Sequence, residues 1–219
     1  MNCVMNGNKK IYYFNSNDSF STFEFSKVLS KLITKQTYES QTIVFLCIGS
    51  DRATGDCLGP MIGYKLSKLQ KKKFIIYGTL ENPIHAKNLA ETIIEIKAKY
   101  KNSFVIAIDA SLGKSSHVGY ITIGEGSLRP GAGVDKDLPS VGDIFITGIV
   151  NLSGLLDNML LQTTRLNVVM TLADYIFLGI HYCIYQLEKE CTPMSSTVIT
   201  TPNLKTKGTR KVKELEAID

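Results

Sequence analysis

Cysteine and histidine are both scarce in this chain. Cys3, Cys47, Cys57, Cys183 and Cys191 are five in number, and His85, His117 and His181 are the three histidines. An odd count with no CxxC pair spells no disulfide framework, so the thiols read as reduced and intracellular. The first residues lack the apolar core of a secretory signal. The glycines of IGSDRATGDCLG, residues 48–59, spell neither GxGxxG nor a GK(S/T) phosphate loop. RPGAGVDK, residues 129–136, is not opened by a strand and followed by a helix, which speaks against nucleotide binding. No aromatic-and-basic array accompanies the formal charge of +5. That charge comes largely from scattered lysines and a basic tail, so it argues for solubility and against a nucleic-acid partner. The one long apolar run, residues 168–187, contains Asp174, His181 and Gln186 and has no flanking anchors. It is expected to be a buried helix and not a membrane span.

What the chain does have is alternation. With 219 residues, 44% of them hydrophobic, it can bury one real core. Short β-rich runs at residues 11–14, 42–48, 74–78, 104–110, 118–124 and 143–150 alternate with segments of helical spacing. Helices are expected from near Asp18 or Ser19, with Phe20, Phe23, Phe25, Val28, Leu29 and Leu32 on one face, and over residues 58–71. Another is expected after Asn82 as N-cap and Pro83 at the first helical position, then a short one within 152–161 and a long one over 164–189. The pattern predicts an α/β fold: a three-layer sandwich with a central, mostly parallel but mixed sheet flanked by helices. Residues 1–40 read as an N-terminal extension whose short strand and helix pack on the core, 41–190 as the α/β domain, and 191–219 as a disordered tail.

In such a sheet the loops leaving the strand carboxyl ends gather on one rim, where ligands bind. Asp51 and Asp56 follow the first core strand, Glu81 the second, and Asp109 closes the third. A carboxyl ending a run as apolar as FVIAI is poorly solvated, which disfavours its charged form and suits an acid. Asp56, near a helix N-terminus, is expected to be kept ionised by free N–H groups and the helix dipole, which suits a base. Two carboxyls separated in this way can activate a water for amide hydrolysis. The same residue types also serve as a helix N-cap and as a strand-end carboxylate bonded to a loop. Arg52 and His85 are further candidates for holding substrate, with Asp51 and Glu81. Cys57 beside Asp56 reads as core, and a transition metal would need more nitrogen or sulfur ligands than His85 supplies. The long connection 124–142 is a candidate for substrate contact, gripping an extended peptide through main-chain hydrogen bonds.

FLCIGSDRATGDCLGP, YGTLENPIHAKNL, AIDASLGK, LRPGAGVDKDLPSVGD and ITGIVNLSGLL, in that order, closely resemble the YyaC-type sporulation proteins, a family regarded as spore proteases. The likeness runs from about Thr42 to Leu187. That family in turn is similar to the germination protease of spores, which degrades small acid-soluble spore proteins, and more distantly to hydrogenase maturation peptidases. The resemblance implies a phosphorylase/hydrolase-like sandwich and a peptidase of the sporulation and germination programme. It further implies action in the cytoplasm of the sporulating cell or the spore interior on a protein or peptide substrate. Carried over on TGDCLGP and IDASLG, the two catalytic aspartates of the germination protease fall on Asp56 and Asp109. The metal-binding histidine of the hydrogenase maturation peptidases falls near Asn151, and an amide does not replace an imidazole, so no cofactor is expected. The rival expectation is a non-catalytic protein that keeps the fold and binds peptide or another spore component.

Overall fold

A computed structural model describes residues 2–6, 9–18, 20–37, 41–69, 74–131, 138–154 and 156–190. The expected tail, residues 191–219, and the middle of the long connection, 132–137, lie outside the described residues.

Seven strands form one sheet in the order β1-β2-β6-β7-β5-β3-β4. They are β1 (Asn2–Asn6), β2 (Lys9–Asn15), β3 (Thr42–Cys47), β4 (Phe74–Tyr77), β5 (Ser103–Gly113), β6 (Tyr120–Glu125) and β7 (Ile144–Leu152). The sheet is mixed. Parallel pairing joins β4, β3, β5 and β7, and antiparallel pairing joins β7, β6, β2 and β1. Among the described residues, five α-helices accompany it: α1 (Ser21–Gln36), α2 (Leu58–Ser67), α3 (Leu89–Lys99), α4 (Asp157–Gln162) and α5 (Leu166–Glu190).

The continuous apolar runs follow from burial on two faces. Along β3, Ile43, Phe45 and Cys47 join the core under α1, α2 and α5, whereas Val44 and Leu46 join a second core under α3. Side chains alternate along β5 in the same way, with Phe104, Ile106 and Ile108 on the first face and Val105 and Ala107 on the second. Asp109 comes next on the α3 face, one residue past the last β3–β5 pair, Cys47↔Ile108.

Within residues 1–40, read from sequence as an extension, β2 lies inside the sheet and α1 belongs to the larger helical layer. Phe25, Leu29, Leu32 and Ile33 form the buried stripe of α1. Phe20 and Phe23 are not on that stripe: they are 80% and 48% exposed, and Lys27 caps the Phe23 ring at 4.2 Å. Phe25 meets Phe14 and Tyr175 edge-on at 5.5 and 5.8 Å, locking α1 between β2 and α5.

By length and composition, Leu166–Lys189 is apolar enough to cross a membrane. Its buried stripe, which includes Val169, Leu172, Ile176 and Ile180, lies in the core with α1 and α2. Asp174 on its outer side pairs with Lys65 of α2 at 2.7 Å. The helix expected from Asn82 begins only at Leu89. Ile84 makes a parallel bridge with Ile48, which holds residues 82–88 out of helix. The Asn88 side chain then closes the turn, accepting from the His85 amide at 2.8 Å and donating to Pro83 O at 3.1 Å.

Candidate active site

β3 leads into α2 on one face of the sheet, and β4 leads through α3 on the other face back across β3 to β5. The carboxyl ends of β3 and β5 therefore flank the point where the winding changes direction, the place where open α/β sheets bind ligands. Three successive strand exits contribute there: Asp56 after β3, His85 after β4, and Asp109 within β5. All three line one cavity of about 400 Å³.

The loop after β3 is built by close backbone approach. Gly49 has φ 141°, and a Cβ there would run into Asp56 O; a Cβ on Gly59 would run into Ile48 O. Ser50 N donates to Asp56 O at 3.1 Å, folding the 3₁₀ turn Gly55–Cys57 back over the end of β3. This explains a glycine-lined acidic loop at residues 48–59: the glycines let the Asp56 turn sit directly on the strand end.

Asp109 is 6% exposed, and its Oδ1 accepts from its neighbour's amide, Ala110 N, at 2.8 Å. Burial, and then the negative charge of Asp56, push its pKa well above the ordinary carboxylate value, against the opposing effect of the Ala110 amide. Asp56 differs from the expectation that a helix N-terminus keeps it ionised. No side-chain cap bond is made at Thr54 or Cys57, the residues that open the turn and the helix, and burial raises the Asp56 pKa as well. The Ser50 amide and His85 oppose that rise. The dipole argument fails because Asp56 lies within the turn that precedes α2, where burial outweighs the field of the helix end.

Arg52, Asp51 and Glu81 are exposed and outside the cavity lining. Cys57 is buried, and its Sγ contacts Thr54 O at 2.9 Å. Burial and the neighbouring Asp56 raise its thiol pKa, so it is not set up as a thiolate nucleophile. His117 packs between Tyr13 and Tyr120, and His181 stacks between Phe177 and Tyr182.

Other lining residues were not singled out by sequence. Thr147 pairs across the sheet with Asp109, donates to or accepts from Thr122 at 2.6 Å, and accepts from Ser111 at 3.3 Å. The β5–β7 register shifts at Ser111/Leu112, a bulge that bends the strand just past Asp109. Arg129 enters from the long connection, which is pinned by the reciprocal Leu128–Val141 backbone bonds at 2.8 and 2.9 Å. Asp157 and Leu161 enter from α4. Polar residues inside apolar β-runs, such as Thr147 in IFITGIV, were the available signal.

Among the described residues, no three His, Cys, Asp or Glu side chains are grouped so as to hold a metal ion. Asn151 is committed elsewhere, its Nδ2 donating to Leu160 O at 2.9 Å and Thr164 Oγ1 at 3.3 Å.

Among solved structures, the fold is similar to a nickel–iron hydrogenase maturation protease, HycI from Thermococcus kodakarensis KOD1. The TM-score is 0.48 at 16% identity, over 72% of this chain and 99% of that one. The protein YyaC of Bacillus subtilis (strain 168), described as uncharacterized, is 46% identical over 168 residues, 77% of this chain and 81% of that protein. The profile of a family described as "Protein of unknown function (DUF1256)" matches residues 13–179. By that match and by its identity to YyaC, the chain belongs to the DUF1256 family as a YyaC-type protein.

Proposed function

We propose that this protein is an endopeptidase in which Asp56 and Asp109 share one proton and activate a water between them. The observation that carries the reading is the pairing itself. Two carboxyls from different strand exits line one cavity, and the charge of Asp56 makes Asp109 hold its proton more tightly.

The chemistry divides between them. Asp56, half-buried and carrying the charge, accepts a proton from water as its oxygen attacks the peptide carbonyl carbon. Asp109, protonated, donates to the carbonyl oxygen, giving a neutral gem-diol. Collapse returns a hydroxyl proton to Asp109 while Asp56 passes its proton to the leaving nitrogen, and the C–N bond breaks. The pair ends in its starting state, and no covalent intermediate on the enzyme is needed. The apolar walls of the cavity, Leu112, Leu128 and Leu161 among them, exclude bulk water around the reacting bond.

The resemblance to the germination protease proposes the rest: small acid-soluble spore proteins as substrates, and a place in the cytoplasm of the sporulating cell or in the spore. The test is incubation of the purified protein with those substrates from pH 5 to 8, with and without chelator. Cleavage that is chelator-insensitive and lost in both Asp56→Asn and Asp109→Asn supports the reading. Binding without cleavage would instead make the protein a module that keeps a peptidase-like site, and loss with chelator would overturn the metal-independent mechanism.

A further inference from the structure

A pair that shares a proton works in a fixed direction only if something decides which member is charged. Burial raises the proton affinity of both aspartates, that of the more deeply buried Asp109 further, and Cys57, which opens α2, makes no side-chain cap bond. The loop after β4 supplies what the helix does not. Gly49 N donates to Ile84 O at 2.7 Å, tying that loop to the strand exit that carries Asp56. His85 is fixed next to this anchor: its amide donates to Asn88 Oδ1 at 2.8 Å, and its carbonyl accepts from Asn88 N and Leu89 N at 3.1 and 3.0 Å. The ring is oriented as well, since Nδ1 accepts from Lys87 N at 3.3 Å. An imidazole whose Nδ1 is an acceptor carries its ring hydrogen on Nε2, which leaves that nitrogen as its donor.

We infer that His85 is the positioning residue of the site, holding Asp56 as the charged member so that the shared proton rests on Asp109. The inference rests on the aspartate-pair reading and deepens it by giving the pair its polarity. The other charged or titratable groups near Asp56 do not serve this end. Asp109 from β5 and Asp51 from the same loop are acidic, as is Asp157 from α4, and Cys57 is a buried thiol. Arg129 lines the cavity from the connection after β6 but is exposed to solvent, which screens its charge. The Ser50 amide is backbone and belongs to the turn itself; His85 is the side chain that acts from outside it.

The test follows the side-chain carboxyl carbons of Asp56 and Asp109 by NMR across pH in the full chain, for wild type and for His85→Gln, His85→Asn and His85→Ala. Three variants allow for one that does not fold, folding being checked by the amide spectrum. The pair titrates in two steps that belong to it jointly. The expected result is movement of the lower step to higher pH in each folded variant, with the acid limb of kcat/KM moving by the same amount and KM on the plateau unchanged. Steps that stay where they are in wild type, or a loss confined to KM, would overturn the inference. The carbon titration needs no turnover, which separates the two claims. A His85-dependent step in a protein that hydrolyses nothing removes the peptidase and leaves the positioning. Hydrolysis dependent on both aspartates, with steps indifferent to His85, removes the positioning and leaves the peptidase.

Discussion

Asp109→Asn keeps the shape of the side chain and abolishes its titration. The Oδ1 contact with Ala110 N at 2.8 Å is one an amide oxygen can accept equally well. What changes is the electrostatic cost of a charge at a site 6% exposed and facing Asp56. The folded-state pKa of Asp109 lies well above the unfolded one, so the stability linked to its proton is fully present below the unfolded value and is lost as pH rises through the folded value. The variant does not suffer that loss. Each tenfold difference in proton affinity between folded and unfolded chain corresponds to about 1.4 kcal/mol, so at neutral pH Asp109→Asn is expected to be more stable than wild type. For a chain of this size that raises Tm by roughly 2–4 °C per kcal/mol. Urea unfolding followed by circular dichroism at intervals from pH 4 to 8 reads the difference directly. The gain should vanish at the acid end and grow with pH while activity is absent throughout. A difference that is flat in pH, or a variant less stable than wild type at pH 7, would refute the reasoning that Asp109 is a strained acid held for chemistry.

Five other outcomes are expected. The pH dependence of kcat/KM should be bell-shaped. Asp56→Asn, Asp109→Asn and the double variant should each lose at least about 10²-fold, the double no more than the worse single, because the pair acts as a unit. Gly49→Ala should cost about 2 kcal/mol or more in denaturant unfolding, since its φ of 141° is left-handed and the new Cβ meets Asp56 O. It should also lower activity by displacing the Asp56 turn. Thr147→Val should cost about 1–2 kcal/mol by depriving Thr122 of its partner at 2.6 Å, read by thermal unfolding. Prolonged dialysis against chelator should leave hydrolysis unchanged, measured against a parallel sample with added zinc.

The strands were legible because burial on two faces turns β3 and β5 into unbroken apolar runs, and the polar residue that ends such a run, Asp109, stands out for the same reason. Asp56 was legible from its glycines, which mark close backbone approach whatever the loop does. What sequence misjudged was electrostatic and local. A nearby helix suggested an ionised Asp56, whereas its turn is buried enough to raise its pKa. Pro83 looked like a first helical residue, but the Ile48–Ile84 bridge, a contact between residues far apart in the chain, overrides local propensity and places His85 on a fixed loop. β1 escaped notice because an edge strand such as NCVMN carries little apolar periodicity. Thr147 and Ser111 reach the site only through strand register, and Arg129 only through the neighbouring Leu128–Val141 bridge.

The most direct measurement is a high-resolution crystal structure of the unliganded protein near pH 6. The account predicts one ordered water within about 2.6–3.2 Å of a carboxyl oxygen of Asp56 and of one of Asp109, with His85 Nε2 turned to the same cavity. Carboxyl groups too far apart to share a water, or each saturated by its own backbone donors, would contradict it.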